Sequence, residues 1–182
     1  MSLSQVYFIH GYGSSIQSSD TFKKILREIP TAIGLTYRDD QPAESIAAMS
    51  AAIHHTAGQK DVIIVGSSLG GWYAEMISRN LVCDVILYNP CINPSKTLAR
   101  HASIPNEVLD KYWRISFDAG SPPASTPRNI ILCVDDEIIY PGFTEDLYRD
   151  VANIIPASGG HRMTDENLRI VLDRITYIET LY

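Results

Sequence analysis

Cysteine is scarce in this chain of 182 residues: there are three, Cys83, Cys91 and Cys133. The number is odd and no two form a C-x-x-C pair, which argues against a disulfide framework and against a zinc site. They read as reduced, buried thiols. Long apolar runs are missing too. No stretch approaches the roughly 18 residues that a membrane helix needs, so no spanning segment is expected. The opening stretch MSLSQVYFIHGYG carries no basic leader and only the short apolar run VYFI, which reads as a strand rather than a signal peptide. A cytoplasmic protein is the expectation. Positive charge is in deficit, with 15 Lys and Arg against 21 Asp and Glu and a formal net charge of −6. With no basic block, a surface that tracks nucleic-acid phosphates is not expected. There is no H-E-x-x-H or comparable ligand cluster, so neither a metal nor a cofactor is expected. Internal repeats, low-complexity tracts and interdomain linkers are also absent.

What is present suits one globular domain over residues 1–182. Apolar residues make up 45% of the chain and charged residues 20%, enough to build one sizeable core. Strand candidates are Val6–His10, Ala32–Tyr37, Val62–Val65, Asp84–Tyr88, Ile130–Val134 and Asn153–Ile155. Most are nearly continuous apolar runs, as in strands covered on both faces. Helical spacing separates them: Phe22, Ile25, Leu26 and Ile29; then Ile46, Met49 and Ile53 behind Pro42; then Leu69 to Arg79. A last helix starts near Thr164 and repeats Leu168, Val171, Leu172, Ile175 and Ile178. Such alternation implies an α/β fold, a three-layer α/β/α sandwich around a mostly parallel six-stranded sheet. One region, about 93–128, is irregular. It contains SPPASTP, which cannot be a helix interior, and Val108–Phe117, which suits a short helix. It reads as a short cap-like insertion over the sheet.

The chemistry concentrates in VIIVGSSLGGWYAEM, Val62–Met76. A strand runs into a turn, Gly66-Ser67-Ser68-Leu69-Gly70, and the turn into a helix. That is the G-x-S-x-G nucleophile elbow in its required context. The register selects Ser68, because Ser67 would need glycine where Val65 stands. The elbow glycines pass close to neighbouring backbone, where a side chain would collide. A serine hydroxyl needs a base. Of His10, His54, His55, His101 and His161, only His161 follows the last strands, in SGGHRM. His101 has no strand-end acid between it and Ser68, and His54 and His55 close a helix on its solvated side. The acid belongs at the end of the strand before His161, where Asp135-Asp136-Glu137 stand. The residues do not choose cleanly among these: Asp136 is preferred, Asp135 is the alternative, and a solvated strand end is the bland reading. Oxyanion donors are expected from the backbone N–H of Leu69 and of Tyr12, in the glycine-bearing loop HGYGSS. His10 reads as structural.

These landmarks together resemble an α/β-hydrolase, and more closely the small bacterial YqiA/YcfP-type esterase family. HGYGSS, GSSLGGWYA, NPCINP, DEIIY and GGH occur in that family's order across nearly the whole chain. The resemblance implies a serine esterase with strand order 2-1-3-4-5-6, and it places the acid at Asp136. It departs at the histidine, which follows Gly160 directly and precedes Arg162 and Met163.

The leading expectation is therefore hydrolysis of carboxylic esters with small to medium acyl chains through an acyl-enzyme, the partner being a small-molecule ester. The resemblance also implies acyl-CoA thioesterase activity as an alternative. A hydrolase-fold binding protein without catalysis is the alternative from a different class. Substrate contacts are expected from Tyr12 and from Trp113, which beside Tyr112, Ile115 and Phe117 offers an apolar wall; simple packing of the insertion is the competing reading.

Overall fold

The computed structural model describes residues 4–182. Six strands form one sheet: β1 Ser4–Ile9, β2 Ile33–Leu35, β3 Asp61–Ser67, β4 Asp84–Tyr88, β5 Arg128–Cys133 and β6 Asn153–Ala157. Their order is β2-β1-β3-β4-β5-β6 and all five pairings are parallel. Side chains alternate between the faces, as period-two pleating requires. Tyr7, Ile9, Ile64, Val85, Leu87, Ile130 and Leu132 belong to one core. Phe8, Ile63, Val65, Ile86, Tyr88, Ile131 and Cys133 belong to the other.

Helices α1 (Asp20–Glu28) and α7 (Asp165–Glu179) cover the second face through Phe22, Ile25, Leu168, Val171 and Ile175. Helices α2 (Pro42–Ala57) and α3 (Leu69–Ser78) cover the first through Met49, Ile53, Trp72, Tyr73 and Ile77. Pro42 occupies the first turn of α2, where its missing N–H has no partner to lose. Thr164 caps α7 by accepting from Asn167 N–H at 3.2 Å.

The region about 93–128 is more regular than the sequence pattern suggests. It holds α4 (Pro94–His101) and α5 (Asn106–Ala119), which pack their Leu98, Val108 and Tyr112 on the first core. A further helix, α6 (Pro141–Tyr148), follows β5. Both α4 and α6 open on a proline and bury few apolar residues, so helical periodicity is faint in them. The strands also shift at their ends. β1 begins at Ser4 and β5 at Arg128, because buried polar side chains extend both pairings beyond the apolar run. β6 runs on through Pro156 at the sheet edge, where proline costs no ladder bond on its open side.

The chain order reverses between β1 and β3, which lie side by side. In open α/β sheets a crevice forms there, outside the carboxyl ends of the strands. His10–Tyr12 leave β1 and Ser68 leaves β3 at that point.

Candidate active site

Ser68 sits between β3 and α3 with φ 54° and ψ −119°, a strained conformation for a residue with a Cβ. Its backbone is held on three sides. Ser68 N–H donates to Tyr88 O at 3.0 Å, and Ser68 O accepts from Gly71 N–H and Cys91 N–H, both at 2.9 Å. The neighbouring glycines are sterically required. A Cβ on Gly70 would lie 2.2 Å from Ile9 O, and one on Gly66 would lie 2.4 Å from Gly70 O. The turn therefore locks against the end of β1 and lifts the Ser68 side chain above the sheet.

Ser68 Oγ lies 2.8 Å from His161 Nε2. His161 Nδ1 lies 2.8 Å and 3.0 Å from the two carboxylate oxygens of Asp136. An ionised carboxylate can only accept, so Nδ1 carries the ring proton. Nε2 then presents a lone pair, and the Ser68 hydroxyl donates to it. The Asp136 side chain is fully buried and the His161 side chain is 15% exposed. Asp136 Oδ1 also accepts from Ile138 N–H and Ile139 N–H, both at 2.8 Å, which fixes its plane. This arrangement can take a proton from the hydroxyl and stabilise the imidazolium that results.

All three acids after β5 are engaged by the His161 loop, each on a different part of it. Asp135 accepts from Gly159 N–H at 3.0 Å and from Gly160 N–H at 3.2 Å, and these bonds hold its carboxyl below the usual range. Glu137 Oε2 accepts from His161 N–H at 2.9 Å. Only Asp136 reaches the ring. Gly159 and Gly160 have φ of 115° and 76°, the left-handed region that turns successive N–H groups toward one carboxylate.

Two residues that sequence reasoning did not single out complete the mounting. Asn89, fully buried with φ 41°, accepts from Cys133 N–H at 2.8 Å and donates to Gly160 O at 3.0 Å and His161 O at 3.3 Å. Tyr88 OH lies 3.1 Å from Arg162 O and accepts from Asn167 Nδ2 at 3.1 Å. The only signal for Asn89 in the sequence is its position just after an apolar strand, in NPCINP.

The loop after β1 forms the opposite wall. His10 Nδ1–H donates to Gly11 O at 2.8 Å, its ring stacks on Tyr37 at 4.5 Å, and Tyr37 OH donates to His10 O at 3.1 Å. Burial lowers the His10 pKa, which agrees with a neutral, structural imidazole. Because a trans peptide sets C=O and N–H on opposite sides, pinning Gly11 O turns Tyr12 N–H the other way. Leu69 is the first residue of α3, so its N–H is among those without an intrahelical acceptor. Gly11, Tyr12, Ser68, Leu69 and His161 line one cleft of about 840 Å³.

Trp113 stands apart from this cleft. It is 52% exposed, stacks on Phe117 at 5.1 Å, and lines neither this cleft nor the groove beside it. Its neighbour Tyr112 is the buried residue, hydrogen-bonded to Tyr73 OH at 2.9 Å. One step along a helix turns a side chain by about 100°, so the two cannot share a face. His54 and His55 are exposed in the last turn of α2. His101 ends α4 and lines the rim of the cleft. Among the described residues no group of three or more His, Cys, Asp or Glu side chains is arranged to hold a metal ion. Nor is any helix among them long and apolar enough to cross a membrane.

Solved structures share this architecture at low identity. The mouse alpha/beta hydrolase domain-containing protein 10 superposes with a TM-score of 0.77 at 16% identity, covering 98% of this chain and 90% of its own. Est1E from Butyrivibrio proteoclasticus gives 0.76 at 14%, covering 98% and 89%. The Pyrococcus furiosus esterase Pf2001 gives 0.67 at 14%, covering 98% and 82%. At such identities the likeness establishes the α/β-hydrolase fold. The family match is made on sequence and runs over residues 5–175, from β1 into α7. The chain belongs to the uncharacterised protein family UPF0227, whose YqiA/YcfP-type landmarks it carries on an α/β-hydrolase fold.

Proposed function

We propose that the protein is a serine hydrolase of carboxylic esters that works through an acyl-enzyme. The observation that carries this reading is the unbroken line from Ser68 Oγ through the His161 ring to a buried Asp136 carboxylate. The esterases among its structural neighbours support it.

In the proposed reaction Ser68 Oγ attacks the ester carbonyl carbon while its proton passes to His161 Nε2. The carbonyl π pair moves onto oxygen, and that oxyanion accepts from Leu69 N–H and Tyr12 N–H. Each such donor is typically worth about 10² to 10³ in rate. Asp136 keeps Nδ1 protonated and stabilises the imidazolium. The tetrahedral species collapses, the bond to the alcohol oxygen breaks, and Nε2–H protonates the leaving alkoxide. Water then repeats the sequence: it gives a proton to Nε2, attacks the acyl carbon, and releases the acid as Ser68 Oγ recovers its proton. No electron acceptor or metal is needed to balance these steps.

The test is covalent. A fluorophosphonate should label Ser68 in the wild type, located by peptide mass spectrometry, and 4-nitrophenyl acetate should be turned over. Ser68→Ala should lose both while keeping its circular dichroism, and Ser67→Ala should keep both. Label on Ser67 would overturn the nucleophile assignment. A folded wild type that takes no label and cleaves no ester would point to a binding protein instead.

A further inference from the structure

A second groove, of about 650 Å³, opens directly off the cleft between α4 and α6. Thr97, His101 and Ile138 line both spaces, so the groove is continuous with the Ser68 site. Its volume is in the range of small-molecule sites. One wall is apolar. Phe143 and Leu147 of α6 stand 63% and 39% exposed and Tyr140, at its N-cap, 66%, with Ile138 also lining the groove. Tyr140 and Phe143 pack edge to face, with ring centroids 5.1 Å apart. These residues recur at helical spacing on a face that adjoins the one carrying the buried Thr144 and Tyr148. Exposed apolar side chains gathered on one face of a protein mark a binding surface.

The other wall is cationic. Lys96 and Arg100 lie one turn apart on α4, on the face that carries Asn93 and Thr97 and away from the buried Leu98. Helix α4 contains no acidic residue. Neither cation has an ion-pair partner among the described residues. The acid across the groove, Asp146, is paired with Arg149 at 2.7 Å. In a chain of net charge −6, two unpaired cations facing an apolar wall beside a nucleophile are a local reversal of the overall charge.

We propose that this groove binds a part of the ester substrate that is apolar along its length and ends in an anionic group. The apolar stretch lies on Tyr140, Phe143 and Leu147, and Lys96 and Arg100 hold the anion. The inference rests on the ester-hydrolase reading for the reaction but not for the binding. It names no side of the ester, because either the acyl or the alcohol part can extend from Ser68 into the groove.

Two matched pairs of esters test it. In the acyl pair, 4-nitrophenyl octanoate is compared with the 4-nitrophenyl monoester of octanedioic acid. In the alcohol pair, hexyl acetate is compared with the acetate ester of 6-hydroxyhexanoate. In one pair the terminal carboxylate should raise kcat/KM by about tenfold at low ionic strength, falling as salt screens it. Lys96→Gln with Arg100→Gln should bring that ratio to about one. Phe143→Ser should raise KM for both members of the favoured pair. Trp113→Ala, outside the groove, should leave the ratio as it is. A wild-type ratio near one in both pairs, or a ratio that survives Lys96→Gln with Arg100→Gln, would overturn the proposal.

Binding is read separately, without turnover. Fluorescence of 8-anilinonaphthalene-1-sulfonate, an apolar anion, should be displaced by octanoate at about tenfold lower concentration than by 1-octanol, and the double variant should lose the difference. If Ser68 takes no fluorophosphonate but this displacement holds, the hydrolase reading fails and the groove stands. If Ser68 is labelled and octanoate has no advantage, the groove fails alone. A dimer in sedimentation that Phe143→Ser returns to monomer would show that a second copy, and not substrate, covers the apolar wall.

Discussion

Asp135 and Asp136 are adjacent on the chain and hold the same loop by different parts. Asp136 accepts from the His161 ring, and Asp135 accepts from the backbone two residues and one residue before it. Asp135 is exposed in the turn that leaves β5, whereas the Asp136 side chain is fully buried. The buried one can orient the imidazole. The exposed one can only fasten its mounting.

That division sets the first prediction. Asp136→Asn keeps the shape but offers an N–H where Nδ1–H must donate, so it favours the wrong tautomer. It should lower kcat by about 10⁴, the scale seen when a triad acid is amidated. Asp135→Asn keeps an acceptor for the glycine N–H groups in a solvated place and should cost about tenfold or less. Steady-state ester kinetics of the two variants check it. The reverse ranking would move the acid by one residue.

The elbow glycines give the second. At Gly70 the obstacle to a Cβ is the carbonyl of Ile9, backbone at the end of β1, an interior strand of the sheet, and it cannot swing aside. Gly70→Ala should therefore displace the Ser68 turn or cost roughly 1–3 kcal/mol or more of stability. Gly58, where φ is 63° but nothing lies within 4 Å of a built Cβ, should lose only about 1 kcal/mol when changed to alanine. Urea midpoints of the two variants, read beside fluorophosphonate labelling, would check the order; equal losses would contradict the crowding argument.

Much of this architecture is legible in the sequence because it is local. The β4 strand, Asp84–Tyr88, carries the apolar run VILY behind Asp84 and is found where the pattern puts it. The glycine register around Ser68 is likewise local, since a strand, a sharp turn and a helix follow one another directly. What escapes the sequence is long-range. Gln5 belongs to β1 because its amide reaches Thr31 O at 2.6 Å, and Arg128 belongs to β5 because Glu75 grips it by two bonds of 2.8 Å and 3.0 Å. Neither partner is visible from the run of residues itself. The roles of Asp135 and Glu137 depend on a loop more than 20 positions away. The apolar wall beside the site comes from α6, whose exposed Phe143 and Leu147 look from the sequence like core residues.

Trp113 supplies the third prediction. Its side chain rests on Phe117 in solvent and touches neither the cleft nor the groove. Trp113→Ala should change KM for acetate and octanoate esters by less than about twofold, and stability by well under the several kcal/mol lost when a buried aromatic is truncated. A selective rise in KM for octanoate would restore it to the substrate wall. Tyr112→Ala, by contrast, removes a fully buried ring and should cost about 3–5 kcal/mol.

The last prediction concerns pH and His10. Burial lowers its pKa, opposed in part by its bond to Gly11 O and by the charge of Asp39. The unfolded chain takes up a proton on this residue near its ordinary value of 6.5, while the folded protein resists until a lower pH. Below about 6.5 the unfolded state therefore binds more protons than the native state, and stability falls as pH falls through that window. Asp39 works in the other sense. Burial raises its carboxyl above 3.8, so its contribution is lost as pH rises, in a window that begins lower. His10→Phe keeps a ring against Tyr37 but removes both the titration and the donor to Gly11 O. Urea midpoints taken from pH 5 to pH 8 should fall toward acid less steeply in the variant than in the wild type. At pH 8 the variant should show kcat reduced by up to about 10², with KM little changed, because Tyr12 N–H is no longer turned by a pinned Gly11 carbonyl. Parallel midpoint curves would mean that His10 is not held neutral in the fold. An unchanged kcat would mean that the loop keeps its direction without it.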